Sequence, residues 1–327
     1  GGGAPPEQRL TGDSEPAAVA GRTEWDALRI NPANCHVTVT PLTPPRPDLE
    51  FGVGVGYSDE LQLLPVPLGK GVFGYVLLGT YRGHKVAVKL IGGLGGGPDG
   101  PSTAALARTM AQEVEVLGRC DHPNVVRLLA ACLTPPRQCL VMELMETSLD
   151  RVLYGEPGAL LPLGKVLAIA IGIASGLEYL HPFTVHRDLK PANVLINDSA
   201  SDRPLAKITD FGLSRLRMAT VETNTPEAGT DLFSFGVLLA EMLAGRPPWP
   251  GLNVIGIAHN VVVENRRPPL LEGLAEERCP GILRRMIEQC WETDAQRRPA
   301  AAELVKTLRM VQQMTGATQA PGSGAPE

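Results

Sequence analysis

The residues best suited to chemistry lie in the run His186 to Asn193 and at Asp210. Asp188 could orient an attacking hydroxyl or accept its proton, and Lys190 could neutralise a transferring phosphoryl group. Asn193 and Asp210 carry oxygen atoms, which are the ligands that Mg²⁺ prefers. These residue types, in this order, predict phosphoryl transfer from a metal-bound nucleotide.

A glycine-rich stretch lies upstream, with glycines at positions 69, 71 and 74. Glycines let backbone amides approach phosphate oxygens without a Cβ in the way. The pattern alone also fits a plain hairpin or a dinucleotide-binding turn. A dinucleotide-binding turn opens a helix, whereas a predicted strand at 75–81 follows here, which disfavours that alternative.

Residues 84–91 alternate with a period of two, as in a strand with two different faces. Ala87 and Lys89 then share one face, and the residues Val86, Val88 and Leu90 share the other. A lysine that closes a strand is usually a solvated edge charge. After a glycine-rich hairpin, however, Lys89 is a candidate phosphate ligand.

Together these motifs resemble the catalytic core of eukaryotic protein kinases. The pattern H-R-D-x-K-x-x-N from His186 to Asn193 and the D-F-G triplet at Asp210 match in order and spacing. The run from Cys290 to Pro299 matches the C-W-x-x-D-x-x-x-R-P pattern of tyrosine-kinase-like serine/threonine kinases. The resemblance covers residues 61–310 and implies an ATP- and Mg²⁺-dependent enzyme, for which Lys190 favours protein substrates with serine or threonine acceptors.

The resemblance also assigns roles to individual residues. It implies that Lys89 contacts the α and β phosphates and pairs with Glu113 on a helix at 101–117, with Glu115 as the rival partner. Met142 would be the gatekeeper, and the backbone of the hinge would meet adenine. The implied nucleotide-binding positions are Leu68, Gly69, Lys70, Gly71, Gly74, Val76, Ala87, Lys89, Met142, Glu143, Met145 and Leu195.

The fold class implied is α+β, a two-lobed protein kinase fold with a small antiparallel β lobe, one C helix and a larger, mainly helical lobe. We predict the small lobe at 59–142, the hinge at 143–147 and the large lobe at 148–313. The flanks 1–58 and 314–327 are rich in Gly, Pro and polar residues and are predicted to be disordered, with a stray strand at 35–40 as a weak alternative.

Hydrophobic periodicity and turn residues place the remaining elements. The pattern predicts strands at 125–132 and 138–142, a helix at 162–181 and short strands at 194–196 and 206–208. An apolar helix should begin at Asp231 and end at Gly245. The stretch 92–100 is almost all Gly and Pro and is predicted to be a flexible loop.

Composition excludes some functions. The 327 residues are 43% hydrophobic with a net charge of −5, and no basic stripe with interleaved aromatics occurs, which argues against nucleic-acid binding. The six cysteines form no C-x-x-C pair and are interpreted as buried thiols in a reducing compartment. No apolar run reaches the roughly eighteen residues needed to span a bilayer. We therefore expect a cytoplasmic protein, or a cytoplasmic fragment of a larger one, whose oligomeric state the sequence does not indicate.

The chain departs from the kinase pattern after the D-F-G triplet. Only twenty residues, 211–230, separate Asp210 from Asp231, whereas kinases place there an activation loop and a docking loop that ends in Ala-Pro-Glu. We expect the missing material between Thr230 and Asp231; the alternative takes residues 225–227 as the Ala-Pro-Glu equivalent. Three interpretations follow: an active kinase, a nucleotide-binding pseudokinase or scaffold, and an inactive shortened form.

Two further expectations depend on this departure. Arg298 should lack its usual glutamate partner, and an unpaired buried guanidinium would destabilise the fold by roughly 3–5 kcal/mol. Arg187 would meet a phosphate on the activation loop, with the threonines at positions 220, 223, 225 and 230 as candidate acceptors. Without a docking loop, we expect slow phosphorylation of protein substrates.

Overall fold

The computed structural model describes residues 1, 50–51, 61–71, 74–91, 103–133, 138–156, 158–182, 184–211, 215–216 and 226–318. These residues form a small lobe built on a β-sheet and a larger helical lobe, as the predicted α+β fold requires. The strand at 35–40, the loop at 92–100 and most of both flanks lie outside the described residues.

The small lobe is a six-stranded sheet in the order β1-β5-β6-β4-β3-β2. Its strands are antiparallel except for β1 and β5, which run parallel. The strands are β1 Glu50–Phe51, β2 Leu61–Gly71, β3 Gly74–Tyr81, β4 His84–Ile91, β5 Leu128–Cys132 and β6 Cys139–Glu143.

The two faces of this sheet pack differently. Val86, Val88 and Leu90 of β4 join Leu61 and Leu77 in a hydrophobic cluster on one face, as the alternation predicted. Helix α1, Thr103–Leu117, contacts β4 and β5 and buries Met110, Val114 and Leu117 in a second cluster that continues into the large lobe. The side chains of Lys89 and Ala87 therefore lie on the opposite face of the sheet from the first cluster.

Within the described residues, the large lobe contains short strands, six α-helices, a π-helix at His259–Val263 and 3₁₀ turns at Pro191–Asn193 and Ala295–Arg297. Its strands form two sheets, β10-β9-β7 and β11-β8. The elements are β7 Thr147–Ser148, α2 Leu149–Tyr154, α3 Leu163–Leu180, β8 Thr184–Val185, β9 Val194–Asn197, β10 Leu205–Ile208, β11 Arg215–Leu216, α4 Pro226–Ala244, α5 Val254–Ala258, α6 Gly281–Cys290 and α7 Ala301–Thr318.

Helix α3 lies at the centre of this lobe and contacts α4, α7 and β10. Among the described residues it is the one helix long and apolar enough to cross a membrane by length and composition, and 56% of that stretch is buried inside the protein. Ten of its residues are buried. An apolar helix with this burial serves as a core element of the large lobe.

Several boundaries differ from the predictions because they depend on distant strands. Strand β1 lies before the predicted start of the small lobe and pairs with β5. Val125 bridges Ile208 of the large lobe, so β5 begins only at Leu128. Thr147, the last predicted hinge residue, pairs with Ile196 in β9. Helix α7 continues to Thr318, beyond the predicted end at 313.

Helix α4 begins five residues before the predicted start at Asp231, so the predicted gap between Thr230 and Asp231 falls within a continuous helix. The helix begins at Pro226, and proline suits a first helical turn because its missing N–H has no partner there anyway. Gly229 packs closely against Ala295, whose carbonyl oxygen would lie 2.7 Å from a Cβ at this position. Thr230 is an exposed residue of the helix and not a loop acceptor; the other three candidate threonines lie outside the described residues.

Arg298 is not the unpaired buried cation that was expected. Its guanidinium donates to the carbonyl oxygens of Gly229 at 2.6 Å and Glu292 at 2.8 Å, and it lies 5.1 Å from the centre of the Phe233 ring. The residue is only half-buried. Among the described residues no ion pair of Arg298 with a carboxylate is present, so backbone carbonyls are its partners in place of the customary glutamate, and burial still lowers its pKa.

Candidate active site

Lys89 of β4 lies between two carboxylates where the lobes meet. Its Nζ donates to Glu113 Oε2 at 2.7 Å, to Glu113 Oε1 at 2.9 Å and to Asp210 Oδ1 at 3.0 Å. The rival Glu115 instead pairs with Arg119 at 3.1 Å, one turn further along the chain. The structure thus brings together three predicted site residues from a strand, a helix and a loop.

The groups of this cluster shift one another's ionisation in different directions, and burial raises the pKa of Glu113 despite the opposing charge of Lys89. Burial alone would lower the pKa of Lys89, but the charges of Glu113 and Asp210 and their hydrogen bonds outweigh that effect and raise the pKa. Burial alone would raise the pKa of Asp210, but the charge of Lys89 outweighs it, so that pKa is lowered. At neutral pH the lysine is a fixed cation and Asp210 a fixed anion.

The loop from His186 to Asn193 holds Asp188 in one orientation. Asp188 Oδ2 accepts hydrogen bonds from Lys190 Nζ at 2.7 Å and from Asn193 Nδ2 at 2.9 Å. Asn193 Nδ2 also donates to the Asp188 carbonyl at 2.8 Å. A short 3₁₀ turn at Pro191–Asn193 brings the asparagine back over the aspartate. The arrangement can position a hydroxyl against a carboxylate.

His186 connects this loop to the strand end before Asp210. Its Nδ1 accepts from the Asp188 amide at 3.2 Å, so its Nε2 carries the proton donated to the Thr209 carbonyl at 2.8 Å. The Thr209 amide donates to the Asn193 carbonyl at 3.0 Å. These bonds hold Asp188 and Asp210 in adjacent, fixed segments.

Asp231 is a positioning residue whose role the sequence did not predict. It is fully buried, and its carboxylate accepts from the amides of His186 at 2.8 Å and Arg187 at 2.7 Å, while His181 Nε2 lies 3.2 Å away. Burial opposes its ionisation, but the hydrogen bond from His181 and the neighbouring histidines outweigh burial and lower its pKa. The only sequence signal was an acid inside an apolar helix.

Strand register brings the predicted nucleotide ligands onto one face. Val76 lies opposite Lys89 in the β3–β4 ladder, and Ala87 lies opposite Met142 in the β4–β6 ladder. Since Ala87 and Lys89 are two residues apart in one strand, all four side chains share one face of the sheet.

The other predicted nucleotide ligands lie around this face. Gly69 pairs with Val76, Lys70 with Tyr75 and Gly71 with Gly74, so the glycines form the predicted hairpin. The side chain of Lys70 and the hairpin tip at 72–73 lie outside the described residues. Leu68 of β2 and Leu195 of β9 are both half-buried and belong to opposite lobes.

The side chain of Glu143 in the hinge binds residues on both sides of it in the fold. Its carboxylate accepts from Lys207 Nζ at 2.7 and 2.9 Å and from the Arg127 amide at 2.7 Å. Lys207 belongs to β10, so this ion pair joins the hinge to the large lobe. Any nucleotide contact of Glu143 must therefore come from its backbone, as the resemblance implied. Met145, two residues on, is buried.

The sequence analysis did not identify two further residues beside the hinge, Asp150 and Arg151. Asp150 Oδ1 is a buried acceptor that has no hydrogen-bond partner among the described residues. Arg151 donates from Nη2 to the carbonyl of Leu68 at 3.0 Å, across from the large to the small lobe. An unmatched buried acceptor is costly, about 1–3 kcal/mol, so Asp150 is an acceptor whose partner the described residues do not supply.

The donor set near Asp210 fits Mg²⁺. Asn193 uses its Nδ2 toward Asp188, which leaves its carbonyl oxygen as an acceptor, and Asp210 supplies a carboxylate. In the part of the chain that the structure describes, no group of three or more His, Cys, Asp or Glu side chains forms a closed metal site. Mg²⁺ needs only a few protein ligands when substrate phosphates complete its coordination shell.

Comparison with known families gives a match over residues 65–308 to the family described as protein kinase domain. The chain is 33% identical to mitogen-activated protein kinase kinase kinase 10 of Mus musculus, over 92% of this chain and 34% of that protein. It is 31% identical to mitogen-activated protein kinase kinase kinase 11 of Homo sapiens, over 91% of this chain and 36% of that protein. The chain thus spans about a third of the length of these relatives.

Proposed function

The chain belongs to the protein kinase domain family as a serine/threonine kinase, and from that premise we propose that it transfers the γ-phosphoryl group of ATP to serine and threonine hydroxyls of proteins. The observation that carries the proposal is the position of Lys89 Nζ between Glu113 and Asp210. At the junction of the lobes, the lysine cation can bind nucleotide phosphates. The neighbouring aspartate anion can bind the metal ion that accompanies those phosphates.

Each residue has a separate role in this proposal. Lys89 binds the α and β phosphates, and Glu113 holds its ammonium in place. Both described bonds to the Asp188 carboxylate fall on Oδ2, which leaves Oδ1 to orient the substrate hydroxyl and take its proton. Lys190 offsets charge on the transferring group. Mg²⁺ bound by Asn193 and Asp210 would supply further neutralisation of the phosphate charge.

The cell compartment is part of the same proposal. The five cysteines among the described residues are buried thiols, which is consistent with a reducing compartment. We propose a cytoplasmic kinase, or a cytoplasmic portion of a longer protein, that acts on protein substrates.

Phosphotransfer from radiolabelled ATP to casein, followed by phosphoamino-acid analysis, tests the proposal. We expect label on serine and threonine. Asp188→Asn should lower turnover by about 10²–10⁴-fold without loss of nucleotide affinity, because this carboxylate acts on the attacking hydroxyl. Lys89→Met should weaken or misalign nucleotide binding, because the lysine contacts phosphates before the reaction.

Lys85→Met is the matched control, since Lys85 lies on the same strand and is exposed. It should leave both binding and turnover unchanged. If Asp188→Asn turned over like the wild type, or lost nucleotide affinity as badly as Lys89→Met, the assigned roles would be wrong.

A further inference from the structure

A hydrogen bond joins the two lobes at the edge of the nucleotide cleft. Arg151 Nη2 of α2 donates to the Leu68 carbonyl of β2 at 3.0 Å, across 83 positions of sequence. Helix α2 follows the hinge directly. Leu68 is one of the implied nucleotide-binding positions and immediately precedes Gly69 in β2. The bond therefore lies where the β2–β3 hairpin, which carries the glycines at positions 69, 71 and 74, meets the large lobe.

The acceptor lies at an irregularity of the glycine strand. In the β2–β3 ladder Pro67 pairs with Leu77 and Gly69 with Val76, so Leu68 has no opposite residue in β3. Such a bulge interrupts the ladder and turns one residue out of its regular direction, and bulges often adjoin active sites. The Leu68 carbonyl is thus presented to the other lobe and accepts the arginine.

The two ends of the bond belong to separately packed parts of the molecule. Leu149 and Leu153 of α2 are buried in the cluster that runs from α1 of the small lobe through the large lobe. Leu61 and Leu77 of the hairpin are buried in the cluster on the outer face of the small-lobe sheet. Helix α2 thus gives Arg151 a rigid base, from which its guanidinium restrains a hairpin that packs independently.

We propose that Arg151 is a positioning residue that latches the glycine strand over bound nucleotide and slows nucleotide release. This inference rests on the proposed function, because it concerns ATP in the same cleft. Arg151 touches none of the cluster of Lys89, Glu113 and Asp210, and its side chain is exposed. Its removal should therefore change nucleotide retention and not the chemistry.

The test is the release rate of a methylanthraniloyl derivative of ATP, measured with Mg²⁺ by stopped-flow displacement from the full chain. A net contribution of about 0.5–1.5 kcal/mol for one hydrogen bond predicts a roughly two- to tenfold faster release for Arg151→Gln. The KM for ATP should rise while kcat does not fall. Arg151→Lys keeps a cationic donor and should restore part of the slow release.

Arg246→Gln is the matched control, because Arg246 Nη2 also donates to a backbone carbonyl, that of Pro269 at 2.8 Å, in an exposed part of the large lobe. It should not change the release rate. Without nucleotide, Arg151→Gln and Arg246→Gln should lose similar, small amounts of thermal stability, because each loses one hydrogen bond to a carbonyl, and this separates a latch from a general structural role. The latch alone is overturned if nucleotide release is unchanged in Arg151→Gln, or if it is accelerated equally in Arg246→Gln. A wild-type chain that binds no nucleotide would overturn both the latch and the proposed function.

Discussion

Asp231 stabilises the catalytic loop by accepting two backbone hydrogen bonds, from His186 and Arg187. Arg187 has a positive φ of 69°, a conformation that costs of order 1–3 kcal/mol for residues other than glycine and persists only where the surroundings impose it. The buried carboxylate of Asp231 holds the loop in this conformation by accepting hydrogen bonds from its amides. One side chain of α4 thus determines the backbone path on which Asp188 lies.

We predict that Asp231→Asn destabilises the fold and slows phosphotransfer. An amide has one acceptor oxygen where the carboxylate had two, so a buried donor is left unmatched at a cost of about 1–3 kcal/mol. Urea unfolding at pH 7 measures the loss. Asp202→Asn is the control, because Asp202 is exposed, and it should change stability little.

The effect of Asp231 on stability should depend on pH. Its pKa is lowered in the folded state, so its stabilisation is present above the unfolded value of about 3.9 and is lost as pH falls through the folded pKa. The difference in unfolding free energy between wild type and Asp231→Asn should therefore be constant near neutrality and shrink below about pH 4. An undiminished difference at low pH would contradict this assignment.

Helices α4 and α6 approach closely at Gly236. A Cβ at this position would lie 2.6 Å from Cys290 Cβ and 3.0 Å from Trp291 Nε1. The absence of a side chain is therefore needed for packing and outweighs the poor helix propensity of glycine.

Gly236→Ala should lower the free energy of unfolding, because overpacking costs about 1–3 kcal/mol while the gain in helix propensity is at most about 1 kcal/mol. The matched substitution is Gly164→Ala in α3, where a Cβ would meet nothing within 4 Å. That change should be neutral or stabilising. Denaturant unfolding of both variants decides, and a stabilised Gly236→Ala variant would show that the helices can separate at little cost.

The short connection before α4 is also a feature at this scale. The predicted gap between Thr230 and Asp231 falls within α4, which begins at Pro226, and the missing docking segment stays a prediction. Slow phosphorylation of protein substrates stays a prediction, based on the loss of substrate positioning. It would be tested against a version with about twenty residues restored after Thr230, and equal turnover of casein by both versions would show that the segment is dispensable.

At the scale of the whole molecule, nucleotide should act as a bridge between the lobes. The predicted ligands come from β2, β3 and β4 above the cleft and from β9 and the catalytic loop below it, while Glu143–Lys207 and Arg151–Leu68 already join the two sides. A ligand that touches both lobes stabilises the folded chain as a unit.

Mg·ATP at 100 times its Kd should therefore stabilise the protein by roughly 2.7 kcal/mol. A thermal-shift titration measures this as a rise in Tm, and ATP with a chelator is the control that should give a smaller rise. No shift in a sample shown to be folded would contradict nucleotide binding.

The sequence by itself determined the family, the strand with Lys89, the helix with Glu113 and the catalytic loop, because these depend on local patterns and on motif spacing. Val86, Val88 and Leu90 could be separated from Lys89 by a period of two alone. The choice between Glu113 and Glu115 was also predictable from spacing.

Only the tertiary structure decided what depends on partners far along the chain. The start of α4, the bonds from Asp231 to the catalytic loop, the carbonyl partners of Arg298 and the bond from Arg151 to Leu68 all join segments that no local pattern connects. A hydrogen bond across 83 positions depends on how two distant segments of the chain are placed by the packing of the whole molecule. Hydrophobic periodicity specifies which face of an element is buried, but not which polar group on another element it will meet.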